Sequence, residues 1–267
     1  MDDCFLLYLW SFIPHCIIFA RTKNMNTVFK HIERKIYAQT FLQQVDVRLE
    51  YNPLQREWVQ EEDVISFFNN HFQIEANFST LLEDRVFLKD NEQQLAFLFS
   101  SDAAMLSVGH LNYRSFYDSV LPNVYHIKDF VFNLWKQHEV TAAIRKVNVF
   151  SMDNNINLDE DAFHSLLYET VFSSEFLQVA PEVTTSKIDG NQVVVQERSI
   201  EDILFRTYII KRKNGVYSLF LETIKSKKVV ASTLEETLEG MNVTLYDAFH
   251  WSVGANIIAI MDKEEEK

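Results

Sequence analysis

Apolar and polar residues alternate along residues 45–51. This period of two is typical of a half-buried strand, which Asn52-Pro53 ends. The acidic run at residues 61–63 precedes apolar residues at helical spacing and predicts a helix, because acidic groups suit the positive end of the helix dipole. The pattern next predicts three strands and a long amphipathic helix with a kink at Pro122, at residues 85–89, 94–99, 105–110 and 113–137.

The second part of the chain repeats this order of elements. A strand is predicted at residues 143–150, and the acidic residues 159–161 begin a helix. Asn214-Gly215 separates two apolar runs and predicts a tight hairpin turn, because both residues tolerate positive φ. A second long helix, with capping residues at 232–236, is predicted to reach about Met261. Its three preceding strands are predicted at residues 192–196, 203–211 and 217–223.

This order of elements favours an α+β fold of two similar halves, each strand-helix-three strands-helix, with antiparallel sheets backed by long helices. The expected organisation is an apolar leader at 1–24, a first half at 25–140, a second half at 141–262 and a charged tail at 263–267. Residue identity between the halves is negligible, so duplication rests on element order, and coincidence is the alternative. The groove between the halves is the expected site.

The leader allows three interpretations. Residues 5–20 are almost wholly apolar, but an acidic start and the lack of a small-residue cleavage site argue against an export signal. The stretch is also shorter than the roughly 20 residues that span a bilayer. Translation from Met25, a core element and a membrane anchor remain open. Cys4 and Cys16 both lie here, which favours a reducing, cytoplasmic setting for the rest of the chain.

Composition excludes several well-known sites. The chain has 267 residues and five glycines, about 2% against an average of about 7%. No glycines lie close enough to form a Walker A loop, a Rossmann turn or a nucleophile elbow. Lys and Arg number 25 against 38 Asp and Glu, so the net charge is −13. This charge argues against nucleic-acid binding, because it repels a polyanion.

Four stretches of residues resemble a sporadically distributed, uncharacterised family of bacterial proteins of similar length. The resemblance implies a bacterial cytoplasmic protein and carries no activity, cofactor or substrate. At the stretch of residues 144–148 the family usually reads Arg-Tyr-x-Asn, and Lys146 replaces the tyrosine here. The four stretches are Tyr37 with Phe41, Leu42 and Val45; residues 113–116; residues 144–148; and the last helix with Leu245, Phe249 and Met261.

Arg145 is the leading candidate for a ligand-binding residue. It shares a strand face with Val147 and Val149, so its guanidinium points toward apolar neighbours. The planar guanidinium could hold a carboxylate or phosphate of a ligand, or it could pair with an internal acid or emerge at a sheet edge. Asn148 and Arg48, on the two corresponding strands, are candidates with it.

Other polar motifs have simple structural interpretations. Residues 153–161 resemble a calcium loop but have Leu158 and His164 where an EF-hand needs Gly and Glu, so a polar turn with Asn157 or Leu158 at the helix boundary is expected. The histidines show no zinc spacing, so no metal or cofactor is expected. His250 and His126 could act as general bases, or pack as ordinary helix residues. No catalytic residue is assigned.

Three functional hypotheses follow. The first is a non-catalytic binding or protein-interaction component with a protein partner or a homodimer through the C-terminal helix. The alternative is an enzyme acting on a small anionic substrate in the groove between the halves, held by Arg145. The third is nucleic-acid binding through the basic clusters at residues 211–213 and 225–228, which the net charge disfavours. Whether the protein is an enzyme is left open, and membrane association is expected only if residues 5–20 form an anchor.

Overall fold

The structure is a computed structural model, and it describes residues 28–35, 37, 40–53, 66, 80–82, 85–90, 94–154, 158–188, 191–212 and 215–263. Contacts divide the chain into two compact units. The described part of unit 1 lies within residues 28–41, 147–223 and 244–263, and that of unit 2 lies within residues 42–146 and 224–243. Each unit contains non-contiguous stretches, whereas the continuous halves at 25–140 and 141–262 stay a prediction.

Unit 2 contains an antiparallel sheet backed by helices. Strand β1 is central because its alternate side chains Val45, Val47 and Leu49 are fully buried. Its antiparallel register with β5 places Val47 opposite Leu106 and Asp46 opposite Ser107. The strands, in order across the sheet, are β2 (Thr80–Leu82), β3 (Arg85–Asp90), β4 (Leu95–Ser100), β5 (Ala103–Gly109), β1 (Leu42–Glu50), and the parts of β6 (Glu139–Asp153) and β10 (Val216–Val230) within this unit.

The predicted long helix of unit 2 is helical over residues 116–134, but its winding changes twice. The α-helix α1 (Leu121–Lys128) lies between two π-helical segments, Phe116–Val120 and Asp129–Leu134. Pro122 lies in the first turn of α1, so its missing N–H falls beside the junction with the first π-helical segment, where the winding changes. The helix packs on the sheet through aromatic rings, with the ring of Phe130 centred 5.1 Å from that of Phe99.

Unit 1 also combines a sheet with helices. Its strands, in order across the sheet, are its parts of β6 and β10, then β9 (Ile203–Lys211), β8 (Asn191–Ile200) and β7 (Glu182–Ile188). Its helices are α2 (Glu160–Val171), α3 (Ser174–Gln178), the C-terminal part of α4 (Leu234–Ser252) and α5 (Ala255–Asp262). The apolar stripe of α2 is buried at Phe163, Leu167 and Val171, as its sequence spacing predicts.

The predicted α+β fold with antiparallel strand pairing is confirmed. The predicted number of strands and the predicted length of the last helix are wrong. Four strands, not three, follow the first strand in each part of the described chain, because β2 and β7 were missed. Strand β7 shows no apolar alternation, since residues 182–187 are all exposed. The last predicted helix divides into α4 and α5 at Gly254, where a side-chain carbon would lie 2.5 Å from Oδ1 of Asn256.

Some sequence predictions concern residues that the structure does not describe. The apolar stretch 5–20 and the tail after residue 263 lie outside the described residues. So does the helix predicted after residues 61–63, apart from Ser66, which is helical. Among the helices of the described chain, none combines the length and the apolar character that crossing a membrane requires.

Candidate functional site

Arg145 lies in unit 2 with a buried acidic partner. Its side chain is 3% exposed, and Nε lies 2.9 Å from Oδ2 of Asp46, which is 1% exposed. The other carboxylate oxygen of Asp46 accepts hydrogen bonds from Nε2 of Gln44, at 2.7 Å, and from the hydroxyl of Ser107. The register of β1 against β5 brings Ser107 to this position. The interpretation that Arg145 pairs with an internal acid therefore describes the geometry, and a ligand at Arg145 stays a prediction.

The other two sequence-predicted site residues have different surroundings. Nε of Arg48 lies 3.1 Å from Oε1 of Glu50, two residues further along the same face of β1. Asn148 is buried in unit 1, and strand alternation places it on the face of β6 opposite to Arg145. The structure therefore does not bring Asn148 and Arg145 together on one face.

A cleft of about 780 Å³ lies in unit 1 and is more accessible than the Arg145 pair. Helix α4 contributes His250 and Trp251 to it, and α5 contributes Ile258 and Asp262. The segment at residues 28–35 and 37, which we call the N-terminal segment, lines its remaining side with α3 and its cap. The cleft therefore combines an apolar floor with groups of both charges.

Side chains of unit 1 bind the main chain of the N-terminal segment. The N–H of Ile32 donates to Oδ1 of Asp247 at 3.1 Å, and the N–H of Lys35 donates to the hydroxyl of Tyr246 at 3.2 Å. At the start of the segment, the N–H of Val28 donates to Oε1 of Glu201 at 2.5 Å. These N–H groups thus have acceptors, although the described part of this segment contains no helix or strand.

Phe29 anchors the N-terminal segment in an aromatic pocket. Its side chain is 2% exposed, and its ring is centred 5.5 Å from that of Trp251 and 6.2 Å from that of Phe205. Phe176, in α3, packs against both of these rings. One buried aromatic anchor with side-chain acceptors for the main chain is a common way to hold an extended peptide.

Tyr37 and His250 form the polar centre of the cleft. The hydroxyl of Tyr246 donates to that of Tyr37 at 3.5 Å, which in turn lies 2.9 Å from Nε2 of His250. Burial raises the pKa of Tyr37, so its hydroxyl stays protonated and donates. Burial lowers the pKa of His250, against an opposing effect of Asp247 and Asp262, and favours the neutral ring that accepts at Nε2.

Side-chain contacts hold both the middle and the end of the N-terminal segment. Nδ1 of His31 lies 3.2 Å from Oδ2 of Asp247, and the ammonium of Lys35 forms an ion pair with Asp262. Ser173 is also engaged, since its hydroxyl donates to the carbonyl of Trp251 at 2.8 Å and accepts the N–H of Phe176. The polar groups at this end of the cleft are therefore oriented by one another.

Sequence reasoning found part of this cluster. His250 was identified as a possible general base, and Tyr37 was noticed in the family resemblance. Asp247 and the binding role of residues 28–35 were missed, since contacts between residues more than 200 positions apart leave no spacing signal. The available signal was local: Tyr246 and Asp247 lie four and three residues before His250, so each neighbours His250 on the surface of α4.

The calcium-like and basic motifs have structural roles among the described residues. Asp159 is the N-cap of α2 and accepts the N–H of Ala162 at 2.9 Å, which corrects the predicted boundary at Asn157 or Leu158. Within the described residues, no group of three or more candidate ligands could hold a metal ion. In the basic clusters, Lys225 is buried and Lys228 pairs with Glu139 at 3.1 Å.

Comparisons with known proteins give little information on function. No protein-family model matches the chain, and no curated protein matches it. Among solved structures, Methanococcus jannaschii TBP is similar to it at 14% sequence identity, with a TM-score of 0.26. That match covers 67% of this chain and 85% of the TBP chain.

Proposed function

We propose that this protein is a non-catalytic interaction component, and that the cleft of unit 1 binds an extended peptide segment of a partner protein. The supporting observation is the recognition of the N-terminal segment by its own chain. Asp247, Tyr246 and Glu201 accept N–H groups of a main chain that forms no helix or strand, while an aromatic pocket takes Phe29. A partner segment in the adjacent open cleft would meet the same kinds of groups.

The size and lining of the cleft suit such a ligand. Its volume of about 780 Å³ lies within the range of about 300 to 1,000 Å³ found for ligand sites. Trp251 and Ile258 offer an apolar surface for an anchor side chain, while Lys30 and Glu175 offer charges of both signs. The ligand is thus expected to carry at least one apolar anchor flanked by polar groups.

Peptide selection on the full chain tests this proposal. Displayed peptides are enriched on the protein and then measured by calorimetry against Ile258→Lys and Ile260→Lys. Both positions lie on α5, but Ile258 lines the cleft, whereas Ile260 is exposed and does not line it. We expect Ile258→Lys to weaken binding at least about tenfold, which is about 1.4 kcal/mol, and Ile260→Lys to leave it unchanged. Failure to enrich any peptide, or equal binding by the two variants, would contradict the proposal.

The enzyme hypothesis has less support in the described residues. Arg145, which was to hold an anionic substrate, is buried against Asp46. In the cleft of unit 1, His250 is bonded to Tyr37, while Ser173 caps α3. These engagements favour binding over nucleophilic catalysis, for which a nucleophile must lie within reach of its base. A homodimer through the C-terminal helix stays a further prediction. The apolar stripe of α4 is buried within the chain at Leu238, Leu245 and elsewhere, so these residues are not available to a second copy.

We also propose that the chain consists of two similar halves. The support is element order: β1 precedes β2 to β5 and a helical stretch, while β6 precedes α2, α3, β7 to β10 and α4. An experimentally determined structure tests this directly, because the backbone of β1–β5 is then expected to superpose on that of β6–β10. Strand sets that differ in register and twist would contradict duplication.

A further inference from the structure

Strand β7 has an exposed edge in unit 1. Among the described residues, its neighbour in the sheet is β8 alone, with Thr185 opposite Val194. The side chains of residues 182–187 are all exposed, so no part of the chain that the structure describes covers them. Alternate N–H and C=O groups of a strand point away from its neighbour. Along this edge they are therefore available to another strand.

The centre of β7 lacks the usual protection of an edge strand, because its charged residues, Glu182 and Lys187, lie towards its ends. Edge strands commonly carry charged side chains, especially lysine, a proline or a bulge, which prevent pairing with other chains. The centre of β7, residues 183–186, has no charge, and three of its four residues are β-branched, which favours strand pairing. Val183 is 62% exposed and Val194, on the same sheet face, is 56% exposed. The backbone and the adjacent side chains thus offer one continuous surface.

We propose that β7 pairs with β7 of a second copy of this chain, antiparallel about a twofold axis between the two copies of Thr184. This surface differs from the cleft, so the inference goes beyond the proposed function. The strand is complementary to itself in this register: Val183 lies opposite Thr185 of the second copy, and Glu182 lies opposite Ser186. Thr184 faces Thr184 of the second copy, Thr–Thr pairs are favourable across strands, and no like charges face each other. An isologous contact of this kind closes as a dimer.

The first test is the mass of the full chain in solution. We expect light scattering to give twice the chain mass of 31.4 kDa. The double variant Val183→Lys, Thr185→Lys places charges at the centre of the contact and is expected to give a single chain mass. Both side chains are exposed, so circular dichroism of the variant should match the original protein. A single-chain mass for the original protein, or a dimer that persists in the double variant, would overturn the proposal.

A cysteine variant tests the register. Residues directly opposite each other in antiparallel strands have Cα atoms about 4.5 to 5.5 Å apart, within the range of a disulfide. Thr184→Cys should therefore form a covalent dimer on mild oxidation at least about tenfold faster than Ser226→Cys, which is exposed on β10. Both variants keep Cys4 and Cys16, so any contribution of these thiols is the same in each. Equal rates of cross-linking would overturn the Thr184 register.

Discussion

Two polar clusters in this chain contain hydrogen-bonded ionisable side chains, but they differ in their access to water. The Asp46–Arg145 pair of unit 2 is at least 97% buried on both sides, and three side chains surround the carboxylate. The Tyr37–His250 pair of unit 1 is partly exposed and borders a cleft. For Arg145, the apolar strand face made pairing with an internal acid one of the interpretations available from the sequence. The accessible polar cluster combines residues far apart in sequence, and no local pattern indicates it.

The comparison predicts that breaking the buried pair has the largest effect on stability. Asp46→Ala leaves the guanidinium of Arg145 buried without its carboxylate, and we expect a loss of about 3 to 5 kcal/mol in the free energy of unfolding. Chemical denaturation of the full chain measures this. The matched control is Glu50→Ala on the same strand, whose partner Arg48 lies nearer to solvent, so its loss should be about 0.2 to 1 kcal/mol.

A double variant separates the pair from its surroundings. Asp46→Ala combined with Arg145→Met removes both charges, so the double variant should be more stable than Asp46→Ala alone. If Asp46→Ala costs less than Glu50→Ala, the carboxylate does not neutralise a buried charge and the contrast with the cleft disappears.

Phe29→Ala is expected to have the next largest effect. The truncation removes the aromatic anchor of the N-terminal segment and should cost at most about 3 kcal/mol, the lower end for a buried Phe, because the segment can leave its pocket. Hydrogen exchange should then increase at Ile32 and Lys35, whose N–H groups are bound by side chains. Val28→Ala is the control, since Val28 is 46% exposed and should change neither measurement. Unaltered exchange in Phe29→Ala would show that the segment is held without its anchor.

Acidification should lower the free energy of unfolding through His250, by a smaller amount than Phe29→Ala does. Burial lowers the pKa of His250 below its ordinary value of 6.5, with Asp247 and Asp262 opposing the shift. As pH falls through 6.5, the unfolded chain binds a proton at this residue before the folded chain does, so stability is lost with falling pH. Denaturation curves between about pH 7.5 and 5.5 measure this slope.

Substitution identifies the group responsible for that slope. His250→Gln should flatten the part of the pH dependence that comes from this residue. His138→Gln, at an exposed position, should leave the dependence as it is. An equal slope in the original protein and in His250→Gln would assign the pH dependence to other groups.

The sequence predicts strands that have a buried face and misses β7, which has none. Strands β4 and β5 were predicted as apolar runs separated by the turn-prone residues 100–102, and β9 as an apolar run before the Asn214-Gly215 turn. Strand β7 has exposed residues on both sides, so hydrophobic periodicity cannot identify it. Its β-branched residues at 183–185 were the remaining signal.

The candidate site was less predictable than the fold, for a physical reason. Arg145 could be identified from its own strand face, but its partner Asp46 is 99 positions away, and the register of β1 selects it. The cleft requires the N-terminal segment to meet α4, with more than 200 residues between Lys35 and Tyr246. Such contacts depend on the completed fold, so local spacing does not predict them.

The smallest expected effect is that of removing one hydroxyl group from the cleft. Tyr37→Phe keeps the ring against His250 but removes the donor to Nε2, so we expect a loss of about 0.5 to 1 kcal/mol in the free energy of unfolding. Tyr125→Phe is the control, because its bond to Glu235 lies at an exposed position and should contribute less. If the two variants lose the same free energy, the Tyr37–His250 bond behaves as a surface contact, and the cleft loses its distinction as an oriented binding site.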